Sequence, residues 1–168
     1  LKRRPVRLSD LAGHAARLVR PDALARGVTI VQETISDDPE VLADPDRLAQ
    51  AVLNLCLNAV QAMDAGGVMG LGVGLAAGGR AFLEVTDTGS GIDPADRDRI
   101  FDPYYTTKSQ GTGLGLPIAH KIVVAHGGEI RLTVRPQGGT SAMVLLPLAG
   151  DDVEPNAEDS DAGEYIGG

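Results

Sequence analysis

The sequence predicts an α+β fold, a two-layer sandwich in which helices cover a mixed, mostly antiparallel sheet. Three observations lead there. Apolar residues recur at helical spacing in three separate stretches, and alternating β-branched runs flank short Gly-containing turns in two places. The resulting order is α, β, α, β-β, long polar loop, α, β-β. Antiparallel hairpins mixed with helices do not alternate as a doubly wound parallel sheet would.

The elements follow in turn. Leu8, Leu11, Ala12, Ala15, Leu18 and Val19 have helical spacing, with Ser9 or Asp10 available for the first turn. Pro21 is expected to stop or restart that helix, because an interior proline removes a hydrogen bond. Gly27 leads into a strand over 28–35. Asp44-Pro45 opens the strongest helix, 45–64, with Asp44 as cap and Pro45 in the first turn, and Gly66-Gly67 ends it. Strands at 68–76 and 80–87 form a hairpin around Ala77-Gly78-Gly79. Residues 88–113 are polar and Gly-rich, with one short helix near 94–100. A helix over 114–126 ends at Gly127-Gly128, and strands at 129–135 and 141–148 close the domain.

Composition narrows the function classes. With 168 residues, the chain suits one domain of 1–149 followed by a tail of 150–168. The tail holds seven acids and no base, while the body holds 16 acids against 15 bases. The body is therefore near neutral, and neither part suits nucleic acid. The tail is expected to be disordered. One cysteine, Cys56, permits no internal disulfide and no zinc cluster. No apolar run approaches the ~20 residues of a membrane span, and no signal peptide is visible. No membrane contact is expected of this chain. The start at Leu1 rather than Met suggests a piece of a longer protein.

Four segments carry chemistry. The first is DRLAQAVLNLCLNAVQAM, 46–63, in which Asn54 and Asn58 stand one turn apart at the edge of an apolar arc of Leu48, Val52, Leu55, Ala59 and Met63. Two carboxamides there offer oxygens to a hard cation such as Mg²⁺. The second is DTGSGI, 87–92, where Asp87 can accept from an exocyclic amine while Gly89 and Gly91 let a base approach the backbone. The third is FDPYYTTK, 101–108: Phe101, Tyr104 and Tyr105 can anchor a loop, and Thr106, Thr107 and Lys108 can meet phosphate. The fourth is GTGLGLPIAHKIVVAHGG, 111–128, in which Gly111, Gly113 and Gly115 run into a helix whose first N–H groups can bind an anion. It is neither a Walker A loop nor a dinucleotide fingerprint. Each segment alone also reads as ordinary helix surface, turn or loop.

In this order and spacing the four segments resemble the N, G1, F and G2 boxes of histidine kinases, within the superfamily that includes DNA gyrase, the large heat-shock chaperone and MutL. The short lid with YYTTK looks like the nitrogen-regulatory branch. The resemblance spans residues 8–148 and implies a Bergerat-type sandwich that binds ATP and Mg²⁺ under a lid of about 93–112. It implies Asn58 as principal Mg²⁺ ligand with Asn54 assisting, and Asp87 as reader of the adenine amine. Gly89, Gly91 and Ile92 would shape the base pocket, and Thr140 would reach the base region. Thr107, Lys108, Gly111, Thr112, Gly113, Leu114, Gly115 and Leu116 would line the phosphates. Asn54, Asn58 and Lys108 then form the catalytic set.

Departures from the hydrolytic members matter. They place a glutamate one turn before the magnesium asparagine, and here that position is Asn54, which cannot act as a base. Transfer to a histidine needs no activated water, so the resemblance implies a protein-histidine kinase of two-component signalling. None of His14, His120 or His126 lies in the family's acceptor motif, and each is expected at a surface or interface. The implied partner is the dimerisation and phosphoacceptor domain of the same full-length kinase, with a response regulator downstream and a cytoplasmic setting. A non-catalytic ATP-binding switch and an anti-sigma-type serine kinase are the alternatives.

Overall fold

The structure, a computed structural model, describes residues 1–107 and 112–150. Strand β1 (Arg4–Arg7) enters directly into α1 (Leu8–Ala25), followed by β2 (Val28–Thr34) and β3 (Glu40–Ala43). Helix α2 (Pro45–Gln61) precedes the hairpin of β4 (Gly67–Leu75) and β5 (Ala81–Thr86). A 3-10 turn, Pro94–Asp96, lies in the described part of the long loop. Helix α3 (Gly115–Ala125) and the hairpin β6 (Glu129–Val134) and β7 (Thr140–Leu146) complete the domain.

The main sheet has the order β2-β4-β5-β7-β6. Only β2 and β4 are parallel, Val28 opposite Gly67, because the chain between them crosses over through α2. The other neighbours are antiparallel. The mixed, mostly antiparallel sandwich agrees with the expected class. Alternation decides which face is covered: Met69, Leu71 and Val73 of β4, Leu83 and Val85 of β5, and Val144 and Leu146 of β7 point into the core. They meet Leu11, Ala15 and Val19 of α1 and Leu48, Val52 and Leu55 of α2. Each such leucine or valine leaving water contributes about 1.5–3 kcal/mol. The expected apolar arc of α2 is buried along its length, ending in Met63.

Two local expectations change, and one strand pair is new. Helix α1 runs through Pro21 to Ala25 instead of breaking there. Pro21 lies in the last turns, and the buried positions Val19 and Ala23 on either side of it hold the helix to the core. Ser9 does not cap α1; it uses its hydroxyl and N–H on the Asp38 carboxylate, at 2.6 and 3.1 Å. Strands β1 and β3 form an antiparallel pair outside the main sheet, with Val6 opposite Val41. Four-residue strands leave too short a pattern to read locally. Asp44 caps α2 as expected, its Oδ1 accepting from the Arg47 N–H at 3.3 Å, with Pro45 in the first turn. Cys56 is fully buried, and burial pushes its thiol up to about 12, so it packs as a small hydrophobe. Among the described residues, no helix is long and apolar enough to cross a membrane.

Candidate functional site

Among the described candidates, Asn54 of α2 meets the start of α3, and Gly89, just after β5, meets the end of α2. Asp87 follows β5 directly and is 4% exposed. Its Oδ1 accepts from the Gly89 N–H at 2.9 Å and from the Thr140 N–H at 3.2 Å, while its own N–H donates to the Thr140 carbonyl at 2.9 Å. A buried carboxylate held at several points keeps one orientation, which reading a particular ligand edge requires. Thr140, expected only to approach this region, is bound to Asp87 through its main chain in both directions.

Gly89 has a steric reason to be glycine. A Cβ there would stand 2.3 Å from the Ala62 carbonyl oxygen, because the strand end turns across the C-terminus of α2. Gly91 has φ +77° and Ile92 is half-buried, so both line the turn after Asp87. Asn54 and Asn58 are half-buried on one side of α2. The Asn54 Nδ2 donates to the Gly115 carbonyl at 3.3 Å, so the first asparagine touches the start of α3. This joins two segments 61 residues apart in sequence.

At the start of α3, Leu114 makes no side-chain cap, and its N–H lies 3.4 Å from the Thr112 hydroxyl. Among the described residues, no side chain caps the first N–H groups of the helix. Gly113, with φ +71°, accepts at its carbonyl from the Tyr104 N–H at 3.0 Å, and a Cβ there would meet the Tyr104 carbonyl carbon at 2.3 Å. The two residues close the neck of the loop that carries Thr107 and Thr112, both exposed. Gly115 and Leu116 are half-buried at the start of α3. Lys108 and Gly111 lie outside the described residues, as does the tail from 151.

The aromatic anchors divide. The Phe101 ring packs on the core and stands 4.9 Å from the His120 ring. The Tyr105 hydroxyl donates to Asp96, and the Arg99 guanidinium lies 4.3 Å over its ring. The hydrogen bond to Asp96, with burial behind it, raises the Tyr105 phenol above its ordinary value. Tyr104 is not an anchor: its side chain is 76% exposed, and its φ of 66° serves the neck instead. His14 and His120 are exposed as expected, but His126 is buried at 3% between α3 and the start of α2.

Sequence reasoning missed two supports. Arg135 donates from Nη1 to the Asp87 carbonyl at 2.9 Å, and the Ala62 carbonyl sets the glycine requirement at 89. Neither has a local signal, since each acts across a large sequence separation. Among the described residues no group of three or more His, Cys, Asp or Glu forms a metal cage. A divalent ion here would rely on carboxamides and on the ligand's own phosphates, which suits the hydrated, phosphate-shared coordination of Mg²⁺.

A family model for the histidine kinase-, DNA gyrase B-, and HSP90-like ATPases matches residues 43–150. Sensor histidine kinase ZraS of Escherichia coli K12 is 41% identical over 143 residues, 85% of this chain and 30% of that protein. The histidine-protein kinase AtoS of the same strain is 34% identical over 85% of this chain and 24% of its own length. The chain thus spans less than a third of these relatives. Among solved structures, full-length ShkA in complex with AMPPNP superposes with a TM-score of 0.78 at 34% identity, covering 89% of this chain and 32% of that one. The catalytic domain of histidine kinase ThkA gives 0.77 at 28% identity, covering 88% and 97%.

Proposed function

The chain belongs to the family of histidine kinase-, DNA gyrase B-, and HSP90-like ATPases, and from that membership we propose that it binds Mg²⁺–ATP and donates the γ-phosphoryl group to a histidine on a separate dimerisation and phosphoacceptor domain. The observation that carries this reading is the contact between Asn54 and the Gly115 carbonyl, which brings the asparagine face of α2 to the open start of α3. The oriented Asp87 stands at the end of β5, where a base could be read. In this reading Asp87 accepts from the adenine amine, with Gly89, Gly91, Ile92 and Thr140 around the base. The N–H groups at Gly113, Gly115 and Leu116, with Thr107, Lys108, Gly111, Thr112 and Leu114, hold the phosphates.

Asn58, with Asn54 beside it, would hold Mg²⁺, which supplies neutralisation of phosphate charge when bound. Transfer forms a bond from the acceptor imidazole nitrogen to the γ-phosphorus. The bond from that phosphorus to the bridging oxygen breaks, and ADP leaves with the electron pair. This chain's contribution is positioning, because phosphoryl transfer depends mainly on in-line alignment and electrostatic stabilisation. Asn54 has no group able to abstract a proton from water, which favours transfer over hydrolysis. An ATP-dependent donor works where ATP is held, so the cytoplasm is the compartment this reading requires. The acceptor domain belongs to the same full-length kinase, and a response regulator receives the phosphoryl group afterwards.

The test supplies the cognate dimeric acceptor domain in trans with γ-labelled ATP. Acid-labile, base-stable label should appear on that partner with a rate that rises with its concentration, because docking is bimolecular once the domains are separate. Label on this chain itself, or steady ATP hydrolysis without a partner, would overturn the reading.

A further inference from the structure

We propose that His126 is a positioning residue for the nucleotide site, tying the start of α2 to the end of α3, the two helices whose far ends carry Asn54, Asn58 and Gly115. The inference rests on the Mg²⁺–ATP reading of that site. His126 follows α3 and is 3% exposed, far from Asp87 in the chain and unused by the reaction described above. Both ring nitrogens are engaged. The Asp44 N–H donates to Nε2 at 3.0 Å, so Nε2 carries a lone pair. Nδ1 lies 2.7 Å from the Ile122 carbonyl, which can only accept, so Nδ1 carries the proton. These two contacts correspond to the Nδ1–H tautomer.

Asp44 is the cap of α2 and is fully committed. Its carboxylate accepts from the Arg47 N–H at 3.3 Å and from the Lys2 N–H at 2.9 Å, and its carbonyl accepts from the Leu48 N–H at 2.9 Å. At the end of α3, the Arg3 guanidinium donates to the Ala125 carbonyl at 2.8 Å. Lys2 and Arg3 thus hold the start of α2 and the end of α3, and His126 is the bond between those two points.

From there each helix runs to the site. Asn54 lies ten residues beyond Asp44, and Gly115 lies eleven before His126; at 1.5 Å per residue each span is about 15 Å. Rigid helices with fixed ends transmit a displacement along their axes, whereas a loop would absorb it. Removing the ring acceptor leaves the Asp44 N–H without its partner and frees α3 to slide along α2. The contact at the far end, Asn54 to Gly115, would then lose its register.

The test uses the full chain with a non-hydrolysable ATP analogue and Mg²⁺. His126→Leu removes the acceptor, and His126→Gln restores an acceptor oxygen near the position of Nε2. His126→Leu should weaken analogue binding about three- to tenfold, within the range of coupling energies carried by residues remote from a ligand, and His126→Gln should recover most of it. Arg3→Ala should shift the amide resonances of Gly115 and Leu116 in the parent chain and leave them still in the His126→Leu chain. Ring nitrogen shifts should report the Nδ1–H tautomer. Should His126→Leu not fold, His126→Gln and Arg3→Ala decide the matter. Unchanged affinity in the His126 variants, with Gly115 unmoved by Arg3→Ala, would overturn the positioning role and leave the ATP reading standing. A parent chain that binds no nucleotide would overturn both.

Discussion

Gly115→Ala separates what the fold demands from what a ligand demands. Among the described residues, a Cβ at Gly115 would meet nothing within 4 Å outside its chain neighbours and its own helix backbone, and its φ lies outside the left-handed region. Alanine there should therefore stabilise the free protein by about 0.4–1 kcal/mol, through the smaller conformational freedom of the unfolded chain. For a domain of this size that raises the melting temperature by about 1–4 °C. In the proposed nucleotide reading, the same methyl would crowd a phosphate held at the first N–H groups of α3. Losing one charged hydrogen bond costs about 1.5–3 kcal/mol, or about 10- to 100-fold in Kd. Thermal unfolding without nucleotide and calorimetric titration with Mg²⁺ and an ATP analogue read the two effects separately. Gly113→Ala is the contrast, since φ +71° and a 2.3 Å approach to Tyr104 make it costly to the fold itself. Unchanged affinity in Gly115→Ala would remove the start of α3 from the phosphate site, and a lower melting temperature would refute the conformational argument.

Asn58→Ala should abolish Mg²⁺-dependent binding of ATP while circular dichroism stays unchanged, because Asn58 is half-buried at the edge of the α2 arc and outside its buried row. Asp87→Asn should narrow the preference for adenine over guanine nucleotides, read as the ratio of ATP to GTP affinities; the amide keeps one acceptor oxygen for Gly89 and Thr140 but loses the charge. The Lys2 and Arg47 N–H groups hold Asp44 below its ordinary 3.8, and Arg80 followed by Arg131 hold Glu129 below 4.5. Both depressed groups contribute stability that is complete above the unfolded values and lost as pH falls through the folded ones. The melting temperature should therefore begin to decline below about pH 4.5, and Glu129→Gln should flatten that decline.

The three helices, the two hairpins and the buried arc of α2 were legible in the sequence because each is written in a local period, reinforced by Asp44-Pro45 at one end of α2 and Gly66-Gly67 at the other. Asp87, Asn54 and Asn58 were legible as candidates because their residue types and spacings carry chemistry by themselves. Several features were not legible. The continuation of α1 through Pro21 depends on Val19 and Ala23 finding the core. The pairing of β1 with β3 joins two four-residue segments whose alternation is too short to read. The exposure of Tyr104, the support of Asp87 by Arg135 and the burial of His126 each depend on a partner far along the chain. Periodicity and capping are properties of neighbours in sequence, and they determined the elements. Which asparagine meets which helix start, and which histidine is buried, depends on how those elements pack; a side chain's surroundings form only when the chain closes on itself.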